Sequence, residues 1–222
     1  MSEERRLLLA TRARHKVAEL ADLLDLPGVT LLTPDDVGIE GEPVEDADSF
    51  RGNAEIKVRY YAARSGLPTL ADDSGLEVDA LDGRPGVFTR RYAGPDATDA
   101  QNNARLLAEL DGLPAGKRGA RYRCVLAYLD PSVGDEAEPV FRSGTFEGRI
   151  ATSARGDGGF GYDPIFEPRS EAPGGRTVGQ MSAAEKHELS HRGKAARAIA
   201  EYLRGSRLVR GEGSSSMPVE GS

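Results

Sequence analysis

The spacing of apolar residues in the first part of the chain predicts a strand followed by two helices. Residues 7–10 form a short, wholly apolar run, as a buried strand does. Residues 11–16 then lead into a helix that ends near Leu24. A second helix is predicted to start at Ser49, which is a favourable N-cap residue, and to end before Gly66. Apolar residues recur in it at nearly four-residue spacing, so one face should contact the core.

The middle of the chain predicts strands separated by turns and one further helix. Residues 68–71 suggest a strand that stops at the acidic turn Asp72-Asp73-Ser74-Gly75. Apolar residues then alternate with polar ones over 76–80, which predicts a half-buried strand. A third helix is predicted over 98–110.

The second half of the chain predicts a hairpin, a glycine-rich loop and two helices. Strong alternation over 122–128 indicates a strand, with 140–150 as its hairpin partner. Residues 156–163 form the glycine-rich loop. A capping box at 182–185 starts a short helix, and Ser190 caps the last one. Because helices and strands interleave around an antiparallel stretch, the fold class is predicted to be α/β with a mixed sheet.

Composition indicates a globular protein with a short tail. The chain has 222 residues, of which 38% are hydrophobic and 29% charged, which suits a folded enzyme. Residues 211–222 are rich in glycine and serine and predict a disordered tail. The folded part is therefore placed at 1–210, as a single two-lobed domain.

Net charge and cysteine content limit the binding partners and the cellular compartment that can be expected. The formal net charge of −7 disfavours binding to polymeric nucleic acid, although a local basic cluster could still hold a free nucleotide. Cys124 is the only cysteine, so no intrachain disulfide can form and a reducing compartment is expected. The first apolar run is too short for a signal peptide, and no run approaches the ~20 apolar residues of a membrane helix. We therefore expect a cytoplasmic protein with no membrane partner.

Two polar clusters in the first half of the chain have the chemistry of a phosphate site. Residues 11–16, Thr-Arg-Ala-Arg-His-Lys, lie between a strand and a helix, where free N–H groups attract anions. Alone, this cluster is more simply a basic surface turn. Asp72 and Asp73 could bind Mg²⁺ through oxygen, with Glu45 as a third carboxylate, although an isolated acidic turn is usually solvated.

Two clusters in the second half have the chemistry of a base site. In the loop 158–164, glycines permit close backbone approach, and Phe160 and Tyr162 could pack against a base. A tight turn with core aromatics explains that loop equally well. Lys186 and the run 190–193, Ser-His-Arg-Gly, could contact phosphate and base, yet a histidine at a helix start is more often a cap.

Taken together, these clusters resemble one family. The chain contains SFRGNAEIKVRYYA (49–62), LADDSGLEVDALDGRPGVFTRRYAG (70–94), GDGGFGYDPIF (156–166) and MSAAEKHELSHRGKA (181–195). In that order, these motifs resemble the non-canonical purine NTP pyrophosphatases, also called XTP/dITP diphosphatases or the inosine triphosphatase family. The resemblance spans about Leu7 to Leu203.

The resemblance implies a fold, a reaction and a cofactor. The fold would be a long mixed β-sheet flanked by helices, with two lobes around a central nucleotide-binding cleft, in a homodimer. The reaction would hydrolyse ITP, dITP, XTP or dXTP to the monophosphate and pyrophosphate, through attack of water on the α-phosphorus. Mg²⁺ would be the cofactor, with Mn²⁺ as an alternative.

The resemblance also assigns roles to residues. It implies that Asp73 and Lys57 are catalytic and that Asp73, Glu45 and Asp72 hold the metal. The implied substrate-binding residues are Thr11, Arg12, Ala13, Arg14, His15, Lys16, Asn53, Ser74, Phe160, Gly161, Tyr162, Asp163, Lys186, His191 and Arg192. Arg192 is expected to donate a hydrogen bond to O6 of hypoxanthine or xanthine, which would favour those bases over adenine.

The chain departs from the family pattern at one informative position. The first motif of the family usually reads Thr-x-Asn-x-x-Lys, and here Ala13 stands in place of the asparagine. Thr89 and Arg90 also replace the expected serine and small residue, at a position expected on the rim. Two other functions remain open at this point: a Maf-like pyrophosphatase for modified pyrimidine nucleotides, and a non-catalytic purine nucleotide sensor, which only Ala13 favours.

Overall fold

The computed structural model describes residues 5–134 and 136–210, and the predicted tail at 211–222 lies outside them. The strands are β1 (Arg5–Leu9), β2 (Val29–Leu32), β3 (Thr69–Val78), β4 (Gly119–Leu129), β5 (Val140–Ile150) and β6 (Phe166–Pro168). The helices are α1 (Arg14–Leu24), α2 (Phe50–Ser65), α3 (Asp99–Glu109), α4 (Ala183–Leu189), α5 (His191–Gly205) and α6 (Arg207–Arg210).

The six strands form one mixed sheet in the order β2-β1-β3-β4-β5-β6. The pairs β1–β2 and β1–β3 are parallel, and the pairs from β3 to β6 are antiparallel. The predicted α/β class with a mixed sheet is confirmed, as is the hairpin of β4 and β5. Strand β2 was not predicted, because its residues are only partly buried and show no clear alternation.

Strand β3 differs from the prediction at the residues that matter most. The expected stop at Asp72 is wrong, because β3 runs unbroken from Thr69 to Val78. Asp72 and Asp73 lie opposite Leu126 and Val125 in a continuous antiparallel ladder with β4. These main-chain hydrogen bonds override the turn preference of the acidic pair. The strand predicted over 76–80 is the end of β3, followed by a 3-10 turn at 79–81.

The two edges of β3 have different partners, and this creates the cleft. On the β1 side, pairing covers only Leu8 with Thr69 and Leu9 with Leu70, after which β1 ends. On the other side, β4 accompanies β3 along its whole length. Residues 71–75 of β3 therefore have a free edge directly beyond the carboxyl end of β1, whereas Leu76 and Val78 donate their N–H groups to the segment 84–89.

Helices cover both faces of the sheet around this free edge. One core packs α1 and α5 against β3 and β4, and a second packs α2 against the opposite face. A third core lies farther along β3 and includes residues of α3 and the loop after β6. Helix α2 is capped by Ser49 and ends before Gly66, as predicted. The Ser49 side chain accepts from the Gly52 N–H, and Gly66 adopts the left-handed conformation. Among the residues the structure describes, no helix has the length and apolar character needed to cross a membrane.

Candidate active site

A cleft with a volume of about 790 Å³ opens at the free edge of β3. It brings together side chains from the turn after β1, from α1, α2 and β3, and from the glycine-rich loop and the α4–α5 joint. The predicted site residues that line it are Thr11, Arg12, Ala13, His15, Lys16, Glu45, Lys57, Asp72, Asp73, Ser74, Phe160, Gly161, Tyr162, Asp163, Lys186, His191 and Arg192. Two predicted residues, Arg14 and Asn53, do not line the cleft.

Asp72 and Asp73 face opposite sides of the sheet because side chains alternate along a strand. Asp72 points toward α1 and α5 and is buried, with Oδ1 2.5 Å from Lys16 Nζ and Oδ2 3.0 Å from Arg192 Nε. It also accepts from Ser74 Oγ and Cys124 Sγ. Burial alone would raise the pKa of Asp72, but Arg192 and Lys16 outweigh it and hold that pKa well below its usual range. Asp72 is therefore an ionised anchor whose two oxygens already accept hydrogen bonds.

Asp73 points toward α2 and meets a lysine. Its Oδ1 lies 2.8 Å from Lys57 Nζ, and the same ammonium lies 3.0 Å from Glu45 Oε2. Burial raises the pKa of Asp73, while Lys57 opposes that rise. Burial would lower the pKa of Lys57, but Asp73 and Glu45 outweigh it, so that pKa is raised. Lys57 is thus a cation that joins two carboxylates at the edge of the cleft.

Glu19 on α1 joins the basic residues of the α4–α5 joint, and the sequence interpretation missed it. Its Oε1 lies 2.9 Å from Lys186 Nζ, and its Oε2 lies 2.5 Å from Arg192 Nη1. Lys186 also donates to Asp163 Oδ2 at 2.9 Å. Glu19 follows Lys16 by three residues, so both lie on one face of α1. That spacing was the only indication in the sequence that Glu19 faces the cleft. It is weak evidence, because exposed carboxylates often have the same spacing from a lysine.

His191 is held beneath the cleft as a neutral ring. It is stacked on Tyr122, with ring centroids 4.8 Å apart and planes inclined by 7°. Burial, followed by the charge of Arg192, lowers the pKa of His191 well below its usual value. A neutral imidazole has one donor and one acceptor nitrogen, so His191 can both give and receive a hydrogen bond.

The two aromatic residues of the glycine-rich loop have different environments. Phe160 is partly exposed in the cleft, with its ring centroid 4.2 Å from that of His15 and 4.0 Å from Lys186 Nζ. Tyr162 is buried in the third core, and its hydroxyl donates to the Thr89 carbonyl at 2.9 Å. Of the two rings expected to pack against a base, only Phe160 is partly exposed, and His15 and Lys186 contact it. Tyr162 instead ties the loop to the segment after β3.

The N-terminus of α1 opens into the cleft without a side-chain cap. Ala13 occupies the N-cap position, with φ −71° and ψ 103°, and supplies no side-chain hydrogen bond. Thr11 Oγ1 accepts from the Ala13 N–H at 3.2 Å, which orders the turn before the helix. The free N–H groups of the first helical turn, together with Lys16, form a suitable site for an anion.

Two predicted substrate contacts, Arg12 and Asn53, have partners within the protein, and a third, Arg14, is exposed. The Arg12 guanidinium donates to the segment 35–42, including Asp35 Oδ1 at 2.7 Å. Asn53 is buried, and its Oδ1 accepts from the Ala47 N–H at 3.0 Å. Arg14 is exposed on α1, beside the cleft. Asn53 therefore orders the segment before α2, a role that the motif alone did not distinguish from substrate binding.

The carboxylate oxygens at the cleft suit a hard divalent cation whose remaining ligands are water and substrate oxygens. Among residues 5–134 and 136–210, no group of three His, Cys, Asp or Glu side chains could hold a metal alone. Glu45 and Asp73 provide a pair of carboxylates around the Lys57 ammonium. Mg²⁺ is commonly bound by one or two carboxylates, water and substrate phosphates, so this pair fits such an ion. Asp72 fits less well, because its oxygens are already engaged.

The cleft has the groups that a nucleotide-binding hydrolase requires: an anion site, paired carboxylates with a lysine, and an aromatic face beside buried donors. The model of the Ham1 family matches residues 7–202, and the chain therefore belongs to the Ham1 family. It is 47% identical over 201 residues to the dITP/XTP pyrophosphatase of Thioalkalivibrio sulfidiphilus (strain HL-EbGR7), covering 90% of this chain and 99% of that protein. The resemblance inferred from the motifs is thereby confirmed.

Solved structures agree with this assignment. A HAM1 protein from Coxiella burnetii superposes with a TM-score of 0.80 at 37% identity, covering 90% of this chain and 99% of the other. The nucleoside-triphosphatase or dITP/XTP pyrophosphatase from Mycobacterium abscessus superposes with a TM-score of 0.72 at 42% identity, covering 89% and 98%. The fold is therefore that of the Ham1 family.

Proposed function

We propose that this protein hydrolyses non-canonical purine nucleoside triphosphates, of the dITP and XTP type, to the monophosphate and pyrophosphate. The observation that carries the proposal is the convergence of Asp73, Lys57 and Glu45 with Phe160 and the α1 N-terminus in one cleft. Relatives at 46–47% identity are named dITP/XTP pyrophosphatase, which supports the same reaction here.

Asp73 is proposed to accept the proton of the attacking water. Water attacks the α-phosphorus, the bond to the bridging oxygen breaks, and pyrophosphate leaves with the electron pair. Burial raises the pKa of Asp73, which makes the carboxylate a stronger base than it would be in water. Lys57 holds Asp73 in place through a 2.8 Å contact, and its charge would stabilise the negative charge that develops on the phosphoryl oxygens.

Glu45 and Asp73 are the residues that would hold Mg²⁺. When bound, the ion would neutralise phosphate charge and polarise the reacting centre. The phosphate chain is proposed to lie along the α1 N-terminus, where Thr11 orders the turn and Lys16 adds a positive charge. Lys16 Nζ is already 2.5 Å from Asp72, so its position is fixed before substrate arrives.

Selectivity for the base is assigned to Phe160 and the α4–α5 joint, which lie beside the phosphate site. Phe160 would stack on the base, while neutral His191 and Lys186 lie beside it. Arg192 has each of its nitrogens bonded to Asp72, Glu19 or Ser74, so its direction is fixed. A guanidinium has five N–H groups, so Nη1 and Nη2 each keep one N–H that could donate to O6 of hypoxanthine or xanthine. Opposite the 6-amino group of adenine, that buried donor would be left unpaired.

The test is pyrophosphate release from dITP, XTP, dATP, dGTP and a modified pyrimidine triphosphate, with Mg²⁺, for wild type and Asp73→Asn. We expect turnover of dITP and XTP only, and its loss in the variant. Asp22→Asn, at an exposed position on α1, is the matched control. Preferred turnover of the pyrimidine would favour a Maf-like enzyme. Binding of ITP without any turnover would favour a sensor.

The finer properties of the protein belong to the same proposal. We propose a homodimer in the cytoplasm that acts on free nucleotides, with Mg²⁺ or Mn²⁺ as the ion. Size-exclusion chromatography with light scattering tests the dimer, and a molecular mass near that of one chain would contradict it. Titration of Mg²⁺ and Mn²⁺ at saturating dITP tests the ion.

A further inference from the structure

Glu45, one of the two carboxylates proposed to hold the metal, lies on a long segment with little regular structure. Residues 33–49 connect β2 to α2 and contain turns but no helix or strand. Glu45 is connected to Asp73 through Lys57, whose ammonium lies 3.0 Å from Glu45 Oε2. A connection of this length is mobile unless other contacts fix it, so something must hold Glu45 near Asp73.

Two side chains fix the segment from opposite ends. Near its C-terminal end, Asn53 Oδ1 accepts from the Ala47 N–H at 3.0 Å. Near its N-terminal end, Arg12 spreads its guanidinium over the segment. Arg12 Nε donates to Asp35 Oδ1 at 2.7 Å, and Nη1 donates to the Gly41 carbonyl at 3.0 Å.

Arg12 has further partners that complete the clamp. Its Nη2 donates to the Ile39 carbonyl, and Nη1 lies 3.4 Å from Glu42 Oε1 and 3.2 Å from the Tyr61 hydroxyl. Tyr61 lies on α2, the helix that also carries Lys57. Arg12 therefore connects the turn after β1, the 35–42 segment and α2. A lysine could not reproduce this arrangement, because an ammonium lacks the planar fork that reaches several acceptors at once.

We propose that Arg12 is a positioning residue that holds the segment carrying Glu45 against α2, so that Glu45 and Asp73 form one metal site. This inference rests on the proposed function, in which those two carboxylates hold the divalent ion. It assigns Arg12 to the order of the metal site and not to the binding of substrate phosphate. Arg12 lies next to Ala13, so the turn that lacks the usual asparagine gains an anchor to the neighbouring segment.

The first experiment is hydrogen exchange of the full chain without substrate or metal, comparing wild type with Arg12→Ala. Hydrogen bonds from charged groups contribute enough that their loss should speed exchange in peptides from 35–47 roughly tenfold or more. Peptides from β1 and β4 should be unchanged. Arg59→Ala is the matched control, since Arg59 also bridges two carboxylates, Glu55 and Glu138, away from the cleft.

The second experiment measures the Mg²⁺ requirement for dITP hydrolysis. Arg12→Ala should raise the Mg²⁺ concentration for half-maximal turnover roughly tenfold, with a smaller change in the KM for dITP at saturating Mg²⁺. Arg12→Lys should be intermediate. Asp35→Asn should also raise this Mg²⁺ concentration. In the Arg12→Ala, Asp35→Asn double variant, the increase should be smaller than the product of the two single increases.

The outcomes distinguish two roles of Arg12, which are to position the segment that carries Glu45 or to contact the substrate. An unchanged rate of hydrogen exchange in peptides from 35–47 would contradict the proposal that Arg12 holds this segment in place. A raised KM for dITP with an unchanged Mg²⁺ requirement would make Arg12 a substrate contact. If wild type hydrolysed no purine triphosphate, the proposed function would fail, while the exchange measurement would still test whether Arg12 holds the segment.

Discussion

Arg192 Nε lies 3.0 Å from Asp72 Oδ2, although the two residues are separated by 120 positions in the sequence. The contact joins the first turn of α5 to the middle of β3. Both side chains are buried, and Arg192 reaches Glu19 on α1 as well. One guanidinium therefore fixes the relative positions of the elements that surround the cleft.

Asp72→Asn should destabilise the protein strongly. The change removes the carboxylate that Arg192 shares with the partly buried Lys16 and leaves Arg192 with Glu19 alone. Removing one partner of a buried ion pair costs roughly 3–5 kcal/mol. Urea denaturation followed by circular dichroism at pH 7 measures the loss. Asp22→Asn, on the exposed face of α1, should change the free energy of unfolding by less than about 0.5 kcal/mol. Equal stability of the two variants would contradict the anchor role of Asp72.

Lys57→Met should move the acidic limb of the pH–rate profile to higher pH. Burial raises the pKa of Asp73, and Lys57 opposes that rise, so removing Lys57 raises this pKa further. A base with a raised pKa stays protonated to higher pH, and turnover of dITP should therefore fall more at pH 6 than at pH 9. Lys117→Met, on an exposed turn, is the matched control. A uniform loss across pH would mean that Lys57 does not act through Asp73.

Phe160→Ala should weaken nucleotide binding. Stacking of a base on an aromatic ring contributes about 1–3 kcal/mol, which corresponds to a rise in the KM for dITP of roughly 5- to 150-fold. Phe160→Tyr keeps the ring face and should retain most of the affinity. A change in kcat with an unchanged KM for dITP would show that Phe160 is not part of the base site.

Ala13→Asn should stabilise α1. Ala13 has the extended backbone of an N-cap but no capping side chain, and asparagine at such a position is worth about 1 kcal/mol relative to alanine. For a chain of this size, Tm should rise by about 2–4 °C. The KM for dITP should fall if the amide also contacts phosphate. Differential scanning fluorimetry measures the first effect, and an unchanged Tm would show that the turn does not accept the cap.

The sequence predicted the helices and strands whose local patterns agree with their environment. Helix α2 has a capping serine, a regular apolar face and a terminal glycine, and the structure matches all of these features. Strand β3 was divided in two because Asp72-Asp73-Ser74-Gly75 resembles a turn. Pairing with β4 determines its conformation, and that pairing depends on residues some fifty positions away. Strand β2 has too weak a pattern to be recognised alone.

The candidate site was predicted more completely than the contacts within it. Motifs identified most of the lining, because each cluster follows the end of a strand or precedes a helix. They did not identify Glu19, since a carboxylate on a helix is usually solvated and nothing local shows that Lys186 and Arg192 approach it. They also grouped Tyr162 with Phe160 and Arg12 with Lys16. Which member of a motif reaches the cleft depends on tertiary packing.

The alternating faces of β3 constrain how this sequence can be altered by insertion or deletion. Because side chains alternate along a strand, shifting β3 by one residue would exchange the faces of Asp72 and Asp73. The anchor for Arg192 would then face α2, and the partner of Lys57 would face α5. A single-residue change in the length of β3 would therefore invert the electrostatics of the site while leaving its composition nearly intact.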